Sequence, residues 1–142
     1  MASLYEQDYY SWTQSQCSLL KAHDLENLDI SHLIEEIEYL GNSDKRSLMS
    51  QTKRLLVHLL KIKFQPEKQI DSSSWINSVS DAQDEIEDLL LDCPSLKHVL
   101  IMEFSECYKK AVRKASRETG LNFDTFPKEC PWTLEELEIL NS

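Results

Sequence analysis

The fold of this chain is decided by one stretch, Leu28–Lys68, which reads LDISHLIEEIEYLGNSDKRSLMSQTKRLLVHLLKIKFQPEK. Its apolar residues recur at spacings of three and one, which places them on one face of an α-helix. Asp29 is a suitable N-cap, and Gly41 suits the left-handed residue that ends many helices. The stretch therefore predicts a short helix, a stop at Gly41 and a long helix closed by Pro66. The two apolar stripes are Ile30, Leu33, Ile34, Ile37 and Leu40, then Leu55, Leu56, Leu59, Leu60 and Phe64.

The other segments also predict helices, and no alternating strand pattern occurs. One helix is expected at Tyr5–Lys21, another at about Trp75–Leu91 with Ser73 or Ser74 as its cap, and a third at Ser95–Thr119, ended by Gly120. LNFDTFPKECPW predicts an extended aromatic strap, and TLEELEIL a short closing helix with capping-box spacing. The predicted fold is all-α: a single-domain bundle of five to six helices over residues 1–142, with the strap and short helix at its carboxyl end.

Composition predicts a soluble globular protein, with 41% hydrophobic and 28% charged residues. No apolar run approaches the length of a membrane span, and MASLYEQDYY is too polar for a signal peptide. The four cysteines form no CxxC pair, so reduced thiols are expected. We therefore expect a cytoplasmic protein with no membrane contact.

Charge is distributed unevenly along the chain. The net charge of −10 argues against nucleic-acid binding, which depends on basic contacts to phosphates. Seven basic residues and one acid nevertheless lie between Lys45 and Lys68, and six acids with no base lie between Asp81 and Asp92. We expect the acidic stripe to face solvent or the basic residues of another helix, because isolated buried carboxylates are too costly.

The usual catalytic signatures are missing from the sequence: it has no HExxH, no glycine-rich phosphate loop and no GxSxG. An Asp29-x-x-His32 spacing occurs once. The best cluster combines Glu35, Glu36 and Glu38 with His58, which could hold a divalent metal or perform acid–base chemistry if the two helices packed against each other. The alternative is solvated glutamates and a partly buried histidine satisfied by a hydrogen bond.

A second candidate is Asp8, four residues before Trp12 on an aromatic face that also carries Tyr5 and Tyr9. A carboxylate in such surroundings is expected to be partly desolvated and to need a cationic or N–H partner. We predict pairing with a lysine or arginine of the long helix.

Several sequence blocks resemble one known family. YEQDYYSWTQSQCSLLK, LDISHLIEEIEYLG, LLVHLLK, SSSWINSV, CPSL and FPKECPWTLEEL are similar, in this order, to the bacterial domain-of-unknown-function family numbered twenty-nine. The resemblance runs from Tyr5 to about Leu140. It implies an all-helical bacterial cytoplasmic protein and supplies no chemistry. The candidate binding residues within its blocks are Asp8, Trp12, Glu35, Glu36, Glu38, His58 and Lys61.

Together these observations favour a non-enzymatic module that needs no cofactor and binds another protein, or itself, through a charged or apolar helix face. The first alternative is a metal-dependent enzyme that uses Glu35, Glu38 and His58. The second is nucleic-acid binding by the Lys45–Lys68 face, which a steep loss of affinity with salt would reveal.

Overall fold

The structure, a computed structural model, describes residues 2–65 and 72–139. Within these ranges every regular element is a helix and no strand occurs, which confirms the all-α prediction. The elements are α1 (Leu4–Gln7), α2 (Tyr9–Lys21), α3 (Ile30–Phe64), α4 (Ser72–Asp92), α5 (Leu96–Thr119) and a 3₁₀ turn (Phe123–Thr125). None of the described helices is both long enough and apolar enough to cross a membrane.

The residues group into two compact units, which we call unit 1 (residues 1–42) and unit 2 (residues 43–142). Unit 1 contains α1, α2 and the beginning of α3. Unit 2 contains the remainder of α3, both later helices and the carboxyl-terminal strap. That residues 1–142 form a single domain stays a prediction.

The predicted stop at Gly41 is wrong, because α3 is one helix of 35 residues that continues through it. Gly41 has no positive φ, and a Cβ built on it would meet nothing within 4 Å. A glycine inside a helix costs about 1 kcal/mol relative to alanine. The hydrogen-bond ladder on both sides of Gly41 and the buried residues farther along α3 outweigh that cost. The boundary between the two units nevertheless follows directly, at Asn42 and Ser43.

The single helix predicted at Tyr5–Lys21 is also wrong, because Asp8 divides it into α1 and α2. Asp8 has φ −150° and ψ 86°, which is not helical. Its Oδ1 accepts from the Ser11 backbone N–H at 3.1 Å, and its Oδ2 accepts from the Ser11 hydroxyl at 3.0 Å. Such side-chain capping is what favours aspartate just before a helix.

The core of unit 2 is formed where α3, α4 and α5 pack together. Small residues allow this close approach, since Ala82 on α4 and Ala111 and Ala115 on α5 are fully buried. Thr52 is a fully buried polar residue in this core, and its hydroxyl donates to the Leu48 carbonyl oxygen at 2.8 Å. The large core residues are Leu48, Leu55, Leu56, Leu60, Ile86, Leu100 and Tyr108.

The ends of α4 and α5 match the predictions to different degrees. The first residue of α4 is Ser72, so the predicted caps Ser73 and Ser74 lie within its first turn and not at the N-cap position. The residue before α4 lies outside the described ranges. Gly120 ends α5 as predicted, with φ 75° and its N–H donating to the Ser116 carbonyl oxygen. The six acids of α4 are all exposed, which confirms that this stripe faces solvent.

The strap packs on the helices of unit 2, but it is not extended throughout as predicted, because Phe123–Thr125 form a 3₁₀ turn. Phe126 is buried with its ring 5.5 Å from that of Phe64, and the Tyr108 hydroxyl donates to the Pro127 carbonyl oxygen at 2.7 Å. The Lys63 ammonium lies over the Trp132 ring.

The prediction of a short closing helix is wrong for the residues that the structure describes. Residues 133–139 form hydrogen-bonded turns, although Thr133 does cap them by accepting from the Glu136 N–H at 3.1 Å. Leu137 and Ile139 are both buried, and between them Glu138 has a φ of 59°, which an α-helix cannot contain. The Gln83 amide stabilises this turn by donating to the Leu137 carbonyl oxygen. The last residue of the predicted helix, Leu140, lies outside the described residues.

Candidate functional site

Two tyrosines bind one glutamate in unit 1. The Tyr5 hydroxyl donates to Glu36 Oε1 and the Tyr9 hydroxyl to Glu36 Oε2, each at 2.5 Å. The two hydrogen bonds hold the pKa of Glu36 below its ordinary value. The same contacts raise the pKa of Tyr5 to about 12 and also raise the pKa of Tyr9. The carboxylate is therefore ionised at neutral pH and ties α1 and α2 to α3.

Asp29, at the beginning of α3, is the second anchor. Its Oδ2 accepts from the Trp12 indole N–H at 2.9 Å and lies 2.7 Å from His32 Nδ1. The hydrogen bond with His32, followed by that with Trp12, lowers the pKa of Asp29, and the carboxylate in turn raises the pKa of His32. The Asp29 N–H donates to the Gln16 side chain at 2.8 Å. Asp29 Oδ1 also accepts from the His32 backbone N–H at 3.5 Å, so Asp29 caps α3, as predicted, and holds α2 against it.

The aromatic rings connect these two anchors. The Tyr5 ring stacks on the His32 ring with centroids 4.1 Å apart, and it meets the Trp12 ring edge-on at 4.7 Å. Trp12 is 3% exposed, so it is a core residue of unit 1. Hydrogen bonds and ring contacts therefore fix one side of the first turns of α3 against α1 and α2.

The apolar residues of the same part of α3 lie uncovered. Ile30, Ile34 and Ile37 are 58%, 50% and 67% exposed, and Leu40 is 67% exposed. At 100° per residue the three isoleucines lie within about 60° of one another, and Leu40 widens the row on one side. We call Ile30, Ile34, Ile37 and Leu40 the apolar stripe.

Two glutamates lie on one side of the apolar stripe, beyond Ile34. Glu38 lies one helical turn after Ile34, and Glu35 lies one turn before Glu38 on the same face of α3. Both glutamates are exposed. Unit 1 as a whole contains eight acids and one lysine, a formal charge of −7. This part of the molecule therefore combines a solvent-exposed hydrophobic row with a strongly negative surrounding.

Comparison with known proteins identifies the family. The family model described as "Domain of unknown function DUF29" matches residues 4–142. The chain belongs to the DUF29 family. Neither a curated protein nor a solved structure matches the sequence. The description of the DUF29 family assigns no activity.

The metal site suggested by the sequence, with Glu35, Glu38 and His58 of this DUF29 protein, gains no support from the described residues. That site needed the chain to fold back at Gly41, and α3 continues there without a turn. Within residues 2–65 and 72–139 there is no group of three or more histidines, cysteines, aspartates or glutamates that could hold a metal ion. Glu36 is bound by tyrosines, whereas Glu35 and Glu38 face solvent.

Asp8 also differs from the prediction. It is exposed, its recorded partner is Ser11, and no ion pair with a lysine or arginine is found among the described residues. Of the two kinds of partner expected for Asp8, cationic or N–H, the structure shows the N–H of Ser11. Trp12 binds the other nearby carboxylate, Asp29.

His58 and Lys61 lie in unit 2. His58 is partly buried, as expected, but its Nδ1 is fully buried and has no hydrogen-bond partner, so the predicted satisfying bond is absent at that atom. Burial, followed by the positive charges of Lys61 and Arg54, lowers the pKa of His58. Lys61 itself forms an ion pair with Glu118 on α5.

Sequence reasoning missed which residues bind each other in unit 1: Glu36 with Tyr5 and Tyr9, and Asp29 with Trp12 and His32. The Asp29-x-x-His32 spacing and the shared face of Tyr5 and Tyr9 were visible signals. Nothing in the sequence indicated that Tyr5 and Glu36, 31 positions apart, would meet.

Proposed function

We propose that this DUF29 protein is a non-enzymatic interaction module whose apolar stripe binds a basic amphipathic helix of another protein. The observation that carries the proposal is the row of four large aliphatic side chains, each at least half exposed, on one helix. Contiguous apolar surface of this kind typically marks an interaction site.

The spacing of the stripe supports a helical partner. Ile30, Ile34 and Ile37 follow the i, i+4, i+7 pattern that anchors one helix in the grooves of another. The network around Glu36 and Asp29 holds this part of α3 before the partner arrives. A preorganised surface loses less conformational entropy on binding.

Charge complementarity supports a basic partner over a second copy of this chain. Glu35 and Glu38 lie on one side of the stripe and have no ion pair among the described residues, and unit 1 carries −7. Two such surfaces would repel each other, whereas lysines or arginines beside the apolar face of a partner helix would pair with the glutamates.

The proposal can be tested with a synthetic helical peptide of leucine and lysine, titrated calorimetrically into the full chain. We expect saturable binding that Ile34→Asp and Ile37→Asp each weaken by about tenfold or more. Fully burying an isoleucine contributes roughly 2 kcal/mol, and Ile37 has two-thirds of its surface left to bury, so its loss alone costs about 1.3 kcal/mol. Glu35→Gln combined with Glu38→Gln should weaken binding further and reduce its dependence on salt.

Two controls separate the stripe from generic attraction between opposite charges. Ile101→Asp changes an isoleucine of α5 that is 55% exposed, and Asp84→Asn with Asp88→Asn removes two exposed charges from α4. Neither variant should change the affinity. Equal weakening by the α4 variant would show that charge alone recruits the peptide and would overturn the proposal. A dimer in sedimentation that Ile34→Asp dissociates would assign the stripe to self-association.

A further inference from the structure

An open groove of about 490 Å³ lies at the carboxyl end of α5 in unit 2, far along the chain from the apolar stripe. Arg113, Ser116 and Arg117 line it from α5, and Phe123 lines it from the 3₁₀ turn. Sites for small molecules commonly measure roughly 300–1,000 Å³. The groove falls within this range but is open to solvent, so a ligand there would be only partly enclosed.

Local hydrogen bonds fix the two walls of the groove. The Ser116 hydroxyl donates to the Leu121 carbonyl oxygen at 2.7 Å, and Gly120 turns the chain with φ 75°. The Asn122 side chain then accepts from the Asp124 N–H at 2.9 Å, which caps the turn that carries Phe123. The position of the Phe123 backbone relative to the end of α5 is thus set before any ligand binds.

The two arginines have no acidic partner among the described residues. The nearest acid in sequence, Glu118, forms ion pairs with Lys61 and Lys114. Arg113 and Arg117 are exposed and one helical turn apart, so both guanidinium groups can reach one anion. Arginine binds phosphate through paired N–H donors, which a single ammonium cannot reproduce.

Phe123 supplies an aromatic surface beside these charges. It is 54% exposed, whereas Phe126 on the same strap is 5% exposed and packs on Phe64. The strap therefore needs Phe126 for its attachment and leaves Phe123 available. Exposed aromatic rings next to basic groups are the usual stacking platforms for nucleobases.

From this arrangement we infer that the groove binds a phosphate carried on an aromatic group, of which a nucleoside monophosphate is the simplest example. Arg113 and Arg117 contact the phosphate, and the base stacks on Phe123. This inference uses different residues from the proposed helix-binding stripe and is independent of it.

The test is calorimetric titration of the full chain with AMP, compared with adenosine and with ribose 5-phosphate. We expect AMP to bind, and each part alone to bind at least tenfold more weakly. Arg117→Gln and Arg113→Gln should each weaken AMP binding about tenfold or more, and Phe123→Leu should remove the preference for AMP over ribose 5-phosphate. Arg46→Gln, which removes the same charge from an exposed position on α3, should have no effect.

Three results would overturn the inference: no AMP binding to the wild type, equal binding of ribose 5-phosphate and AMP, or an equal loss in the Arg46 control. A single-stranded oligonucleotide with a 5′-phosphate distinguishes two sources of the ligand. Much tighter binding than that of AMP assigns the groove to the end of a strand, and similar binding assigns it to a free nucleotide.

Discussion

Replacing His58 with leucine should stabilise this protein, and the stabilisation should grow in acid. His58 Nδ1 is fully buried without a hydrogen-bond partner, on a helix whose neighbouring Leu55, Leu56 and Leu60 are core residues. A buried unsatisfied polar group costs roughly 1–3 kcal/mol. Because the histidine is only partly buried, we expect His58→Leu to raise the free energy of unfolding by about 1 kcal/mol at pH 8.

The pH dependence follows from the lowered pKa of His58. Burial and the charges of Lys61 and Arg54 place the folded pKa below the ordinary value of 6.5. The unfolded chain therefore binds more protons as the pH falls from 6.5 towards the folded pKa, and acid destabilises the wild type in that window. The slope is at most about 1.4 kcal/mol per pH unit and is reduced by the partial exposure of the ring.

Protonation of His32 has the opposite effect on the free energy of unfolding, but it does not affect the comparison of the wild type with His58→Leu. Its hydrogen bond with Asp29 raises its pKa, so its contribution is fully present below pH 6.5 and is lost as the pH rises through the folded pKa. The wild type and His58→Leu both contain this pair. The difference between their unfolding free energies therefore isolates His58.

Urea denaturation followed by far-ultraviolet circular dichroism at pH 8, 6 and 5 measures this difference. His98→Leu, at an exposed position on α5, is the matched control and should change the stability little. The reasoning is refuted if His58→Leu is less stable than the wild type at pH 8, or if the difference between them does not increase towards pH 5.

Three further variants test the backbone conformation at two glycines and the attachment of the strap. Gly41→Ala should stabilise the protein by about 1 kcal/mol, because Gly41 is helical and an added Cβ meets nothing within 4 Å. Gly120→Ala should destabilise it by about 1 kcal/mol or more, because φ there is 75°, and urea titrations of the two variants should therefore shift in opposite directions. Tyr108→Phe removes the hydrogen bond to the Pro127 carbonyl oxygen and should lower the free energy of unfolding by about 1 kcal/mol, measured in the same way.

Sequence reasoning predicted the helical elements wherever local chemistry decides them. The apolar period of α5 and the glycine at its end are both local signals, and the helix runs from Leu96 to Thr119 as expected. Gly41 shows the limit of such signals. It is the same residue type with capping residues after it, yet its backbone stays helical because the turns on both sides continue the hydrogen-bond ladder.

The candidate site depended on contacts that a linear pattern cannot show. Glu36 was a candidate from its position in the EEIE block, but its function as the acceptor for Tyr5 and Tyr9 follows only from how α1 and α2 lie on α3. The metal hypothesis had the same weakness, because it required a chain reversal at Gly41, where α3 continues without a turn.

The sequence by itself determined that α3 carries apolar residues at helical spacing, because that period is a property of neighbouring positions. Only the tertiary structure decided which of them are buried. Leu55, Leu56 and Leu60 are covered by packed helices, whereas Ile30, Ile34 and Ile37 are left in solvent. The physical reason is that periodicity fixes the direction in which a side chain points, and burial depends on whether another element lies in that direction.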